Sequence, residues 1–426
     1  MRRCAMKRLA LRSVLLSCLV SLASHSVVAQ KIAIVAGKLY TMGAGVQGQP
    51  GVVLIDNGKV SAVQGGNTAP AGYTVMHAAY VTPGLVDAKT TAGISGAYNI
   101  PADQDEDERT DPNTADVRAL DSFNPREMLL LYINTYGTTT VQAAPGITNP
   151  VAGQAGIFKT VGPKTVGPTA EELAIKPVSA IVFNLGESPK SFYGKTNKAP
   201  TTRMMTAAII RKALLEGQAY QKKWSEWNAG EKKDASKQPA KDMKLEAISM
   251  ALRGEVPAIF NAYRADDIDT ALRLAHEFKL KLMLSSVTEG YLEAPLIKQS
   301  GASALVGPTL QRPGSMESEN VSLENAAILA QSGVPVAIMT GYEGYVPKNR
   351  VLLLEAAIAA ANGMGFEGAL RAATIESARI LGIDNRVGSL DPGKDADVVL
   401  YDGDPFEYTS HVTAVLVNGK VSYQRE

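Results

Sequence analysis

Lys89 and Thr91 alternate in the stretch VTPGLVDAKTTAG at 81–93, so both side chains point to the same side of any strand that carries them. At the C-terminal end of a barrel strand they would stand over the reaction centre. A desolvated lysine there can serve as an oxyanion donor or an unusual nucleophile, and a buried Glu289 can take a proton. The plainer role is repair, in which the Lys89 ammonium fills space and charge in a mouth lined by acceptors. Asn261 in PAIFNAYRADDI and Thr340 in VPVAIMTG also close apolar runs. Lys89, Thr91, Asn261, Glu289 and Thr340 together offer a cation, hydroxyls, an amide and one carboxylate, a set suited to a small polar or anionic ligand. The competing arrangement is a closed polar plug in which Lys89 and Glu289 satisfy each other.

The elements that must position these residues follow from the pattern. Apolar or β-rich runs at 81–87, 138–144, 178–185, 256–262, 280–286, 303–307 and 334–340 alternate with helical stretches, among them MTAAIIRKALLEGQAY, DIDTALRLAHEF, LENAAILAQSG and RVLLLEAAIAAANG. Such alternation predicts a parallel sheet covered by helices; periodicity alone leaves an open sheet and a closed barrel both available. Both chain ends instead read as short strands with Asn-Gly turns, at Asn57-Gly58 and Asn418-Gly419. Neither end can bury much alone, so the two are expected to form one small β-domain.

Two stretches interrupt the pattern. PADQDEDERTDPN at 101–113 lacks the register of a calcium loop and reads as a solvated surface loop. KKWSEWNAGEKKDASKQPAKD at 222–242 reads as a protruding or partly disordered excursion, with Trp224 and Trp227 anchoring its base or a subunit contact. Thr138, Thr139 and Thr140 are read as strand residues, because β-branched side chains suit a strand.

Residues 1–29 read as a secretory signal: five basic residues and no acid, the apolar core SVLLSCLVSLAS, and a small residue, Ala29, at the expected cleavage point. Export to the periplasm is therefore the expectation, with no transmembrane anchor. Removal of the leader leaves 38 basic against 42 acidic residues, which gives nothing to favour nucleic acid. Cys4 and Cys18 both fall in the leader, so no disulfide, thiol nucleophile or cysteine-ligated metal is expected. Phosphate-loop, Gly-x-Ser-x-Gly and His-Glu-x-x-His motifs are absent.

VTPGLVDAKTT resembles the first-strand signature of the metal-dependent amidohydrolase superfamily, Val-x-Pro-Gly-Leu/Ile-Ile/Val-Asp-x-His-x-His. YGTTTVQAAPG, AGQAGIFKTVG, LGESPK with PTTRM, and above all GALRAATIESARILGIDNRVGSLDPGKDADVVLYDGDP at 368–405 are similar to its imidazolonepropionase-like branch. The resemblance implies an α/β fold: a TIM-like (β/α) barrel at 76–385 with a small composite β-sandwich domain from 31–75 and 386–424. It also implies a mono- or binuclear metal site with two histidines from the first strand, one each from the fifth and sixth, and an aspartate from the eighth. Lys89 and Thr91 stand at the first two positions, Asn261 at the fifth-strand histidine and Gly341 at the aspartate; KLMLSSVTEGY has no histidine. Apart from the leader, His77, His276 and His411 remain, none at a barrel-strand end.

Catalytic zinc wants about three histidine or carboxylate ligands, so no cofactor is expected. The expectation is a metal-free, degenerate relative of the hydrolases, binding a small ligand or serving beside an intact paralogous subunit. The alternative is an active hydrolase of carbon-nitrogen bonds in cyclic amides or small peptides, with a rebuilt site or with zinc or another divalent metal. A homo-oligomer through the barrel helices at 351–362 and 369–381 or through the 222–242 excursion is a further expectation.

Overall fold

The first strands are β1 (Ile32–Tyr40), β2 (Gln47–Asp56), β3 (Lys59–Gly65) and β4 (Thr74–Pro83). The structure, a computed structural model, describes residues 31–98, 100–162, 167–230, 235–341 and 352–426. The expected leader at 1–29 lies outside the described residues. Asn57 and Gly58 join β2 to β3 with φ of 52° and 76°, the paired positive values that a two-residue hairpin of this twist needs. β4 runs to Pro83, so the expected domain boundary at 75 falls inside a strand, and the chain passes from one domain to the other at Gly84.

The barrel sheet comprises β5 (Leu85–Thr90), β6 (Thr138–Ala143), β7 (Val151–Lys159), β8 (Ala174–Asn184), β9 (Ala258–Ala262), β10 (Leu282–Ser286), β11 (Ser303–Val306) and β12 (Val336–Ile338). They hydrogen-bond in chain order, and a bridge between Thr90 and Gly341 brings β12 back to β5. β7 departs from the alternating pattern: it is antiparallel to both β6 and β8, and the other seven strands run parallel. All nine of its residues are buried, as are those of β5, β6 and β9, but Gly153, Gln154 and Gly156 interrupt the apolar run by which a fully covered strand is read.

Helices cover this sheet with apolar residues three and four apart. In Ala265–Phe278 the buried side chains are Ile268, Ala271, Leu274, Ala275 and Phe278, together with Asp267. Removing each large apolar side chain from water contributes roughly 1.5–3 kcal/mol, so this periodic face fixes the helix on the sheet. The expected excursion at 222–242 begins later than the sequence suggests. Arg203–Ala229 is one helix, carrying Trp224 and Trp227 edge to face with centroids 5.6 Å apart. Met243–Leu252 returns against it, with Gln221 Nε2 donating to the Ser249 carbonyl at 3.0 Å. Alternation of lysines with Trp, Ala and Leu along one helical face gives low mean hydropathy without breaking the helix. The acidic loop is likewise only partly solvated, because Glu106 turns inward and is 4 % exposed. Among the described residues, no helix is long and apolar enough to cross a membrane.

β13 (Val398–Tyr401), β14 (Val412–Val417) and β15 (Lys420–Gln424) return to the first sheet, whose order is β15-β14-β13-β4-β1-β2-β3. The composite β-sandwich domain is thus built from both ends, with Thr82 paired to Val399 and Val81 to Leu400. Its two Asn-Gly turns abut: the Ala396 amide donates to the Gly58 carbonyl and the Gly419 amide to the Ala396 carbonyl, both at 2.9 Å. A Cβ on Gly58 would stand 2.8 Å from the Asn418 carbonyl oxygen, so a side chain is excluded there by contact as well as by φ.

The domains are also joined by charge. Lys159, at the end of β7, is buried and bonds Asp397, and its ammonium lies 3.2 Å from Asp395. Arg386 reaches the same Asp395 oxygen at 2.9 Å. Paired in this way, the buried carboxylates and the lysine avoid the large penalty of an isolated charge.

Candidate functional site

Lys89 sits near the end of β5, 2 % exposed, because the inward positions of a barrel strand face other strands rather than water. Its Nζ donates to Asn261 Oδ1 at 3.0 Å. Asn261 lies on β9, in register with Asn184 on β8 and Ser285 on β10. Asn184 Nδ2 donates to two backbone carbonyls, of Gly146 at 3.0 Å and Asn149 at 2.7 Å. Two carbonyls can only accept, so this fixes which end of the Asn184 amide is nitrogen. Asn184 Oδ1 then accepts from Asn261 Nδ2, and Asn261 Oδ1 is left facing Lys89. The ladder ends on the helix Glu187–Gly194, where the Tyr193 hydroxyl donates to Asn149 Oδ1 at 2.7 Å.

Burial is the largest influence on Lys89 and pushes its ammonium down to about 8, while negative charge at Asp107 and Asp87 partly opposes it. Asp87 shows the converse. Burial pushes its carboxyl up to about 7, against the hydrogen bonds from Thr340 and the Lys89 amide. Asp107, held by the Thr148 amide at 3.0 Å and hydroxyl at 2.7 Å, is also raised chiefly by burial.

The five expected residues fall into four separate settings. Lys89 and Asn261 meet directly. Thr340 joins Asp87, with its hydroxyl 2.6 Å from Oδ2, and reaches Thr90 at 3.0 Å rather than Thr91. Thr91 accepts from the Ser95 hydroxyl at 3.2 Å. Glu289 stands at the start of a helix: its Oε2 accepts from the Ala265 amide at 2.7 Å and its Oε1 from Asn320 Nδ2 at 2.8 Å. The plug built on a Lys89–Glu289 pair is therefore replaced by two separate pairings, Lys89 with Asn261 and Glu289 with a helix terminus. The latter follows from the partial positive charge of exposed helix amides. Sequence reasoning did not assign Asn184, Asn149, Tyr193 or Asp107 to this network. Asp87 was in view inside the strand signature, but its pairing with Thr340 needs the closure of the barrel.

The profile of the amidohydrolase family matches residues 255–423. The crystal structure of an amidohydrolase from Thermotoga maritima is 32 % identical, covers 92 % of this chain and 100 % of that one, and superposes with a TM-score of 0.85. The chain belongs to the amidohydrolase family. Amidohydrolase tasK of Hapsidospora irregularis is 25 % identical over 403 residues, 88 % of this chain and 40 % of that protein. An imidazolonepropionase of Picrophilus torridus is 33 % identical over 130 residues, 29 % of this chain and 32 % of that enzyme. The chain thus spans less than half the length of either of these curated relatives.

Members of this family commonly hold a divalent metal at the barrel mouth, and the residues present here do not fit one. Where imidazoles would ligate, an ammonium is bonded to an amide whose other end is already committed to Asn184. Both carboxylate oxygens of Asp87 accept from Thr340. Among the described residues, no group of three or more His, Cys, Asp or Glu side chains could hold a metal ion. Metal chemistry needs open, convergent oxygen or nitrogen ligands, and here those atoms are already committed to hydrogen bonds.

Proposed function

We propose that this amidohydrolase-family chain is a metal-free member whose barrel mouth binds a small polar or anionic ligand, alone or as the partner of an intact paralogous subunit. The bond from Lys89 Nζ to Asn261 Oδ1 carries the reading. It places a fixed positive charge and an oriented amide at two strand positions that the family resemblance assigns to metal-binding histidines. Lys89, Thr91, Asn261 and Thr340 would face the ligand, and Glu289 would stand at the rim without touching it, held there by the helix amide. Export to the periplasm belongs to the same proposal and rests on residues 1–29.

The test joins metal analysis of the purified full chain to hydrolysis assays on cyclic amides and small dipeptides, with and without added zinc or manganese. Metal at well below one equivalent and no turnover that follows added metal are the expected results. Stoichiometric metal that chelation removes together with turnover would overturn the proposal.

A second reading has its own observation. Burial brings the Lys89 amine to about 8, so a useful fraction is neutral and nucleophilic in mildly alkaline solution. A hydrolase with a rebuilt site would then work through Lys89 without metal. Turnover that survives chelation and disappears in Lys89→Met would select it over the binding role.

A further inference from the structure

A second acidic feature lies outside the Lys89 ladder. A cleft of about 470 Å³ is walled by residues of the segment after β5 and by Pro145 after β6, with Asp105, Glu106 and Asp116 among its walls. Its volume falls within the roughly 300–1,000 Å³ range of small-molecule sites. Ile94, Val117 and Pro145 add apolar surface to the same walls. Arg118 is the basic residue there, and it is already held by Asp121, with Nε 2.9 Å from Oδ2. Arg118 is thus committed to Asp121 rather than to Asp105, Glu106 or Asp116.

Glu106 supplies the independent observation. It is 4 % exposed, and its Oε2 is buried without a hydrogen-bond partner among the described residues. A buried acceptor left in that condition is destabilising, the more so when charged. Burial, Asp107 and Asp105 all push its carboxyl above the usual range, against the opposing effects of a backbone hydrogen bond and Arg109. The next residue, Asp107, serves the other site: it bonds Thr148 and acts on Lys89. The two adjacent acids therefore divide between separate environments.

We propose that this cleft binds an organic cation, a ligand carrying ammonium or guanidinium groups on an aliphatic stem, with Glu106 as its innermost partner. Several acids spread along the walls match several charges on one chain. They do not match a point ion, because among the described residues no three such side chains converge as metal ligands. The apolar wall residues would cover the methylene groups between the charges, as they do for buried lysine stems. A charge-assisted bond to Glu106 would satisfy the oxygen that the fold leaves unpaired.

Calorimetric titration of the full chain with spermidine tests this. Saturable binding to the wild type is expected, weakened about tenfold in Glu106→Gln, as loss of a charge-assisted hydrogen bond predicts. Asp116→Asn, a substitution at a half-exposed wall residue, should also weaken binding and guards against a Glu106 variant that folds poorly. Lys89→Met should leave the affinity unchanged. Absence of binding to the wild type, affinity in both acid variants equal to that of the wild type, or displacement of spermidine by equimolar magnesium would each overturn the proposal.

Discussion

Thr340 holds Asp87 at both oxygens of its carboxylate, the amide 3.1 Å from Oδ1 and the hydroxyl 2.6 Å from Oδ2. The bond helps close the barrel, since Asp87 lies on its first strand and Thr340 two residues past its last. Burial nevertheless brings Asp87 up to about 7, well above an ordinary carboxylate. The folded protein therefore retains a proton that the unfolded chain has released. Stability from this group is full below the unfolded value, near pH 4, and is lost as pH rises through about 7. Asp87→Asn removes that dependence at a slope of about 1.4 kcal/mol per pH unit. Thermal unfolding of both proteins between pH 5 and 8 checks it. Identical profiles would mean that Asp87 stays ionised throughout.

Lys89→Met should keep the fold. It removes the desolvation cost of a buried ammonium but leaves Asn261 Oδ1 without its donor, effects of opposite sign of about 1–3 kcal/mol each. Capture of small carboxylates, measured by calorimetry across a panel, should fall about tenfold or more if the ammonium is the ligand's partner. Capture unchanged in a folded variant removes Lys89 from the binding site.

Glu289→Ala should act on stability first. The carboxylate satisfies the Ala265 amide at the start of Ala265–Phe278, and loss of such a cap costs about 0.5–2 kcal/mol. A lowered urea midpoint with carboxylate capture intact is the expected pair of results. Capture lost at unchanged stability would instead place Glu289 in contact with the ligand.

Lys159→Met tests the seam between domains. It strands the buried Asp397 and takes one partner from Asp395, a change of about 3–5 kcal/mol for a broken buried ion pair. Denaturant unfolding should show the loss, and the double variant Lys159→Met with Asp397→Asn should recover part of it. No recovery would show that the seam is held by packing rather than by this pair.

Much of the architecture was legible because periodic burial leaves a mark on composition. The Asn57-Gly58 and Asn418-Gly419 turns, the helix Ala265–Phe278 and seven of the eight barrel strands all carry such marks. β7 does not, since Gly153, Gln154 and Gly156 break its apolar run. The site was legible as a set of residue types at strand ends, Lys89 and Asn261 among them. Their partners were not, because Asn184, Asn149 and Tyr193 are joined to them through amide orientations that only the assembled sheet imposes. Glu289 illustrates the opposite hazard: a carboxylate just past a strand reads as a pocket residue until the neighbouring helix terminus is seen to claim it.

β4 lies between β1 and β13, so its second neighbour is made from nearly the last residues of the chain. A polypeptide emerging from its N-terminus would carry β1 to β4 with the β4 edge open until the whole barrel had been made and β13 followed it. Such an edge invites pairing with another chain, and contacts between distant residues form slowly. The long central barrel is therefore an interval of exposure as well as a scaffold. Loss of the final strands would injure the first ones, however intact the segment between them.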